Sequence, residues 1–199
     1  MKDTEDKDNE TMKIGLIADT HIPEAMPELP AQVREVFAGV DLILHAGDLH
    51  CLDVLDWLEA TAPVLAVRGN GDDGSGGRPV VPVDPRLRDT QVVTCAGRSI
   101  GLVHDVLDPA EMPHWPIERT MQHYFGRRID IMVCGHTHVE RLVQHDDVWV
   151  INPGSATFPH NLTAQPGTVG ILMLDGDRTG VTIYDLKTQE PVPGLAMTW

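Results

Sequence analysis

The chain has 199 residues, 42% of them hydrophobic and 5% aromatic, and 15 Lys and Arg against 30 Asp and Glu give a net charge of −15. That length and apolar share suit one compact domain with a buried core. The acidic balance and scarce aromatics argue against a protein that tracks phosphates or stacks bases, and no apolar run approaches the roughly 20 residues of a membrane-spanning helix.

Residues 1–11 read as a charged, disordered leader without the apolar stretch of a signal peptide, and residues 12–199 as a single domain. Lys13 to Ala18 (KIGLIA) is a buried strand. A Pro-rich loop leads to a helix over Ala31 to Ala38 that stops at Gly39. Asp41 to His45 is a second apolar strand, Cys51 to Ala60 a helix with Leu52, Leu55 and Leu58 on one stripe, and Pro63 to Val67 a third strand. This alternation predicts parallel pairing with helices over the sheet. A Gly- and Pro-rich loop follows, Gly69 to Pro85. Gln91 to Cys95 and Ser99 to Val103 form a hairpin, Ile117 to Arg127 a helix and Ile129 to Cys134 a strand. Four more strands are predicted from Val139 to Val143, Val148 to Ile151, Thr168 to Leu174 and Gly180 to Asp185. The fold class is α/β, with a parallel first part and an antiparallel second part. Three scattered cysteines (Cys51, Cys95, Cys134) make no disulfide framework and no paired zinc motif, which suits a reducing, cytoplasmic setting.

The informative residues stand where apolar strands end. Asp19-Thr20-His21, Gly47-Asp48-Leu49-His50, Arg68-Gly69-Asn70-Gly71-Asp72, His104-Asp105 and Gly135-His136-Thr137-His138 follow five of these strands. In an open parallel sheet, ligands bind outside the carboxyl ends of the strands. Four imidazoles, two carboxylates and one amide brought to one edge make a poor acid/base site and a good one for borderline divalent metals. In an extended segment Asp-x-His and His-x-His turn both side chains to one side. Seven donors suit two ions bridged by a carboxylate. Each piece alone reads as turn or cap chemistry. Asp48 could cap the next helix and Asn70-Gly71 could be a turn, but turns have no need of histidine. Gly69 to Gly74 also fits the GxGxxG of dinucleotide sites, yet Pro79, Pro82 and Pro85 follow where that motif must open a helix.

The ordered set DxH, GDxH, RGNxD, H and GHTH, then Asn152-Pro153-Gly154-Ser155, resembles the calcineurin-like metallophosphoesterase superfamily, and in particular its small single-domain phosphodiesterase branch. The resemblance implies a four-layer α-β-β-α sandwich of two mixed β-sheets with flanking helices. It assigns Asp19, His21, Asp48 and His138 to one metal, and Asp48, Asn70, His104 and His136 to the other. It implies two divalent ions, manganese foremost, with nickel, iron, cobalt or zinc as alternatives. The activity that follows is hydrolysis of phosphodiesters by a metal-bridging hydroxide attacking phosphorus, with Asp48 and Asn70 in the catalytic centre. Larger members carry a histidine where this chain has Gly71, so leaving-group protonation falls to water or a neighbouring imidazole, for which His50 is the candidate. Arg68 is a candidate for a phosphate oxygen or for pairing with a local Asp. Asp105 replaces a glycine common in the family, as a supporting partner or a surface residue. Asn152 and Ser155 are expected to organise a loop. His45, His114, His123, His145 and His160 are read as structural or surface. The partner called for is a small phosphoester, with no duplex nucleic acid and no membrane, and a homodimer is plausible by resemblance. Two alternatives remain: a phosphomonoesterase of the same fold, and a non-catalytic protein-interaction scaffold like the retromer subunit of this fold.

Overall fold

The computed structural model describes residues 11–106 and 115–199. The acidic leader, apart from Thr11, and His114 therefore lie outside the described residues. The first third follows the expected alternation: β1 (Met12–Ile17), α1 (Ala31–Val36), β2 (Leu42–His45), α2 (Asp53–Glu59) and β3 (Val64–Val67). β1 pairs with β2, and β2 with β3, in parallel. The long loop after β3 ends in a two-residue strand, β4 (Leu87–Arg88), and is followed by β5 (Gln91–Cys95), β6 (Arg98–Leu102), α3 (Ile117–Phe125) and β7 (Ile131–Val133). The chain closes with β8 (Glu140–His145), β9 (Val148–Pro153), β10 (Thr168–Asp175), β11 (Arg178–Asp185) and β12 (Pro191–Thr198).

Two mixed sheets result, with strand orders β12-β11-β10-β1-β2-β3-β4 and β5-β6-β7-β9-β8. The second half is less uniformly antiparallel than expected, since β6 with β7 and β7 with β9 are parallel pairs. The reason is α3, which carries the chain back across the sheet between β6 and β7, as a crossover must. The sequence pattern does not mark β12, because Pro191, Pro193 and Gly194 weaken its strand signal. It survives as an edge strand, where a missing N–H costs no ladder bond.

Three apolar clusters mark the boundaries between four layers. Alternation along β1 sends Ile14 and Leu16 to one face and Ile17 to the other. Ile17, Ile43, Val64 and Ala66 pack with Val33 and Phe37 of the α1 region and with Val54, Leu55 and Leu58 of α2. Ile14, Leu16, Leu44 and Val67 meet Ile100, Leu102, Ile131, Val133 and Ile151 of the second sheet. On the outer face of that sheet, Ile117 and Met121 of α3 cover Met132, Val148 and Val150. The α-β-β-α sandwich is thus three desolvated interfaces held by alternating side chains. Gly15 lets the first approach closely, because a Cβ there would sit 3.1 Å from ring carbons of Phe37. At the opposite end Trp199 stacks on Trp149 at 4.2 Å, and its N–H and carbonyl both bond Thr179 at 2.8 Å.

Candidate metal centre

β1, β2, β3, β6 and β7 all deliver their C-terminal ends to one edge of the sandwich, and backbone bonds tie the five loops together there. The Asp19 N–H donates to the Gly47 carbonyl at 3.0 Å and the His21 N–H to the Asp48 carbonyl at 3.0 Å. The His136 N–H donates to both Asp19 carboxylate oxygens at 3.1 and 3.0 Å, and the Gly135 N–H to the His104 carbonyl at 2.9 Å.

The seven side chains expected as metal ligands come together in two groups that share Asp48. In the first, Asp19 and His138 are buried and His21 half-buried. His138 Nε2 lies 3.6 Å from Asp19 Oδ1, and His21 Nε2 lies 3.9 Å from that oxygen and 3.4 Å from Asp48 Oδ2. In the second, Asp48 Oδ1 lies 3.4 Å from His104 Nε2, while Asn70 Oδ1 is 3.1 Å from His104 Nε2 and 2.9 Å from His136 Nδ1. Asn70 and His136 are exposed, so this second group faces solvent. One carboxylate thus offers an oxygen to each side.

The donor chemistry fits a cation. His138 donates through Nδ1 to the Phe158 carbonyl at 2.8 Å, and His104 through Nδ1 to the Ala46 carbonyl at 2.7 Å. In a neutral imidazole that leaves the lone pair on Nε2, and a carbonyl partner on the other nitrogen is how proteins orient metal-binding histidines. Both lone pairs face carboxylate or amide oxygens, an arrangement of acceptors against acceptors that a cation resolves. His21 Nε2 and both ring nitrogens of His50 are buried without a hydrogen bond. Triads Asp19/His21/His138, His21/Asp48/His50 and Asp19/Asp48/His104 each bring ligand atoms within 4.8 Å of one another.

The loops differ in one respect from the extended segments expected of DxH and HxH. Asp19, His21, Asp48, His50, His136 and His138 all have positive φ, between 44° and 72°. Non-glycine residues in the left-handed region cost about 1–3 kcal/mol each and persist where the surroundings over-determine them. Here a strand end must reverse within two residues while its side chains stay inside, so alternate residues turn left-handed. What holds them is a set of polar groups, several of which no motif reading singled out. Ser155 Oγ donates to the Asp19 carbonyl at 2.7 Å and Thr157 Oγ1 to the Thr20 carbonyl at 2.6 Å. Asn152 Nδ2 donates to the Gly135 carbonyl at 2.7 Å. Asn152 and Ser155 therefore organise loops. Asp72, fully buried, accepts the N–H groups of His50 and Gly69 at 2.8 Å and of Leu49 at 3.3 Å. In return Asp48 Oδ1 accepts the Gly71 N–H at 2.6 Å. His45, also fully buried, bonds Thr20 Oγ1 and the Gly47 N–H. The only sequence signal for Asp72 and Thr20 was membership of the same short loops. For His45 it was an imidazole on an apolar strand.

Other candidates resolve differently. Among the described residues Arg68 pairs with no acid. Its guanidinium donates to the carbonyls of Val81 at 2.7 Å and Pro82 at 3.0 Å and straps the long loop. Asp105 is exposed and lines a cavity of about 500 Å³ beside His136, with Thr137, Val139 and Arg141. His50 fills the space next to Gly71: a Cβ at Gly71 would fall 2.3 Å from His50 Nε2. On its other side His50 Nδ1 lies 3.3 Å from Glu24, which Arg78 also pairs at 3.2 Å.

The electrostatics bear the mark of the crowding. Burial would pull the His21 imidazole down, but the facing carboxylates of Asp19 and Asp48 outweigh it and push it up to about 9. Burial would raise the Asp48 carboxyl, yet His21, His104 and the Gly71 N–H hold it well below the usual carboxylate range. Burial pushes His138 down, and burial, then the neighbouring His21, pushes His50 down. Burial takes His45 to about 3, so it is neutral.

Residues 12–177 match the model of the calcineurin-like phosphoesterase superfamily domain. The chain belongs to this superfamily. A probable metallophosphoesterase of Methanothermobacter thermautotrophicus is 36% identical over 184 residues, 91% of this chain and 95% of that protein. Vacuolar protein sorting 29 from Cryptosporidium parvum has the same fold, with a TM-score of 0.72 and 25% identity over 95% of this chain and 97% of that one. Wild-type Vps29 from Entamoeba histolytica, solved with zinc, follows at a TM-score of 0.66 and 22% identity over 94% and 97%.

Proposed function

We propose that the chain is a phosphoesterase dependent on two divalent cations, with manganese the first choice, acting on small phosphodiesters. The observation that carries this is Asp48, whose two oxygens face separate His-containing groups, His21 on one side and His104 on the other. Asp19, His21, Asp48 and His138 would hold one ion, and Asp48, Asn70, His104 and His136 the other. Such a pair supplies a water ionised at neutral pH and positive charge against the phosphoryl oxygens. The probable metallophosphoesterase from Methanothermobacter supports the reaction class, and the zinc-containing Vps29 supports cation binding by this fold.

The chain's own residues divide the work. Asn70, being neutral, limits negative charge where an anionic ester must approach, and with His136 it forms the solvent-facing entrance. Asp48 is fixed by the Gly71 N–H. His50, whose side chain is buried beside Gly71, is the imidazole assigned to donate a hydrogen bond to the departing oxygen. A chain of charge −15 disfavours long polyanions, so a small substrate suits it better than duplex nucleic acid.

The test is a panel of aryl mono- and diesters with the manganese-loaded protein. Diester turnover well above monoester turnover, abolished in Asp48→Asn and steep in leaving-group pKa, is the expected result. Faster monoester turnover would make it a phosphomonoesterase. Bound metal with no turnover of either class would favour the interaction scaffold.

A further inference from the structure

His45 belongs to none of the motif loops, yet its hydrogen bonds join two of them. Its position on β2 faces the helix side of the sheet, where Ile43 precedes it and an apolar residue is the ordinary occupant. Burying an imidazole there is costly unless both nitrogens are satisfied. Nδ1 lies 3.2 Å from the Gly47 N–H, which can only donate, so Nδ1 accepts and Nε2 carries the hydrogen. Nε2 is 3.1 Å from Thr20 Oγ1, which must then accept, leaving the hydroxyl hydrogen to point at the Asp48 carbonyl 3.5 Å away. The chain of bonds runs in one direction, from Gly47 N–H through His45 and Thr20 to the Asp48 carbonyl. It begins and ends beside the bridging carboxylate and passes through the loop between Asp19 and His21. All three of those acidic and imidazole residues sit at positive φ.

We propose that His45 is a positioning residue that acts through Thr20 to hold the Asp19/His21 loop at a fixed distance from the Asp48 loop, and so sets the separation of the two cation positions. This rests on the dinuclear reading above. A histidine that merely fills the core predicts lower stability on substitution and nothing else. A strut predicts a change in the paired centre itself.

The discriminating experiment titrates Mn²⁺ alone into wild type, His45→Asn, Thr20→Val, Thr20→Ser and the His45→Asn/Thr20→Val double variant. Asn keeps an acceptor for the Gly47 N–H but is too short to reach Thr20, whereas Ser keeps the hydroxyl. Binding stoichiometry and the exchange-coupled electron paramagnetic resonance signal of the ion pair are the readouts, with circular dichroism to check folding. Wild type and Thr20→Ser are expected to bind two coupled ions. His45→Asn and Thr20→Val are expected to lose about 10- to 100-fold in affinity for the second ion, as for other residues that orient ligands, and to lose the coupled signal. The double variant should be no worse than His45→Asn, because both changes cut the same strut. Folded variants with two tightly bound, coupled ions, or losses that simply multiply in the double variant, would overturn the proposal. Should His45→Asn not fold, Thr20→Val alone decides. Wild type that takes up no Mn²⁺ would sink the dinuclear reading itself, an outcome visible before any variant is compared.

Discussion

Asp48→Asn should cost the protein most of the thermal stabilisation that metal provides. Each cation position saturated at 100 times its Kd adds about 2.7 kcal/mol to the folded state, so two add about 5 kcal/mol. For a chain of this size 1 kcal/mol moves Tm by about 2–4 °C, which makes the full effect about 10–20 °C. Asp48 Oδ2 serves one group and Oδ1 the other, and an amide replaces one of these charged oxygens with a donor. Asn70 approaches only the second group, at His104 and His136, so Asn70→Ala should keep about half of the shift. The assay is a thermal melt with chelator and again with Mn²⁺ in excess, for wild type, Asp48→Asn and Asn70→Ala. Melts in which Asp48→Asn gains as many degrees from Mn²⁺ as wild type would refute the shared-carboxylate argument. Equal losses in the two variants would refute the assignment of Asn70 to one group only.

Asp72→Asn puts an amide against three backbone N–H groups, and at least one buried donor loses its partner, so urea denaturation should show a loss of at least about 1–3 kcal/mol. Phe37→Ala empties the space over Gly15 in the α1/sheet interface, and the same measurement should report about 3–5 kcal/mol, with the site's metal stoichiometry preserved. Arg86 joins Asp84 of the long loop to Asp56 and Glu59 of α2, and its guanidinium holds the Asp84 carboxyl down to about 2. A carboxyl lowered on folding adds stability that is full above its ordinary value near 4 and fades as the pH falls towards 2. The stability gap between wild type and Arg86→Met should accordingly narrow between pH 5 and pH 2, and a gap independent of pH would count against that pairing.

Local sequence determined the elements whose physics is local. The apolar runs of β1, β2 and β3 and the stripe of α2 were legible because burial alternates along a strand and recurs every turn of a helix. The seven candidate ligands were legible because each follows such a run, and parallel strands must deliver their ends to one edge. Tertiary structure decided what depends on residues far apart in the chain. β12 forms because β11 offers it an edge, despite its two prolines. The DxH and HxH loops turn left-handed because Ser155 and Thr157 hold the first of them from more than a hundred residues away and the Asp19 carboxylate holds the GHTH loop. The bonds that Asp72 makes under the second loop and His45 beneath the first two were equally invisible. A hydrogen bond needs both partners at one point in space, and composition and spacing specify only one of them.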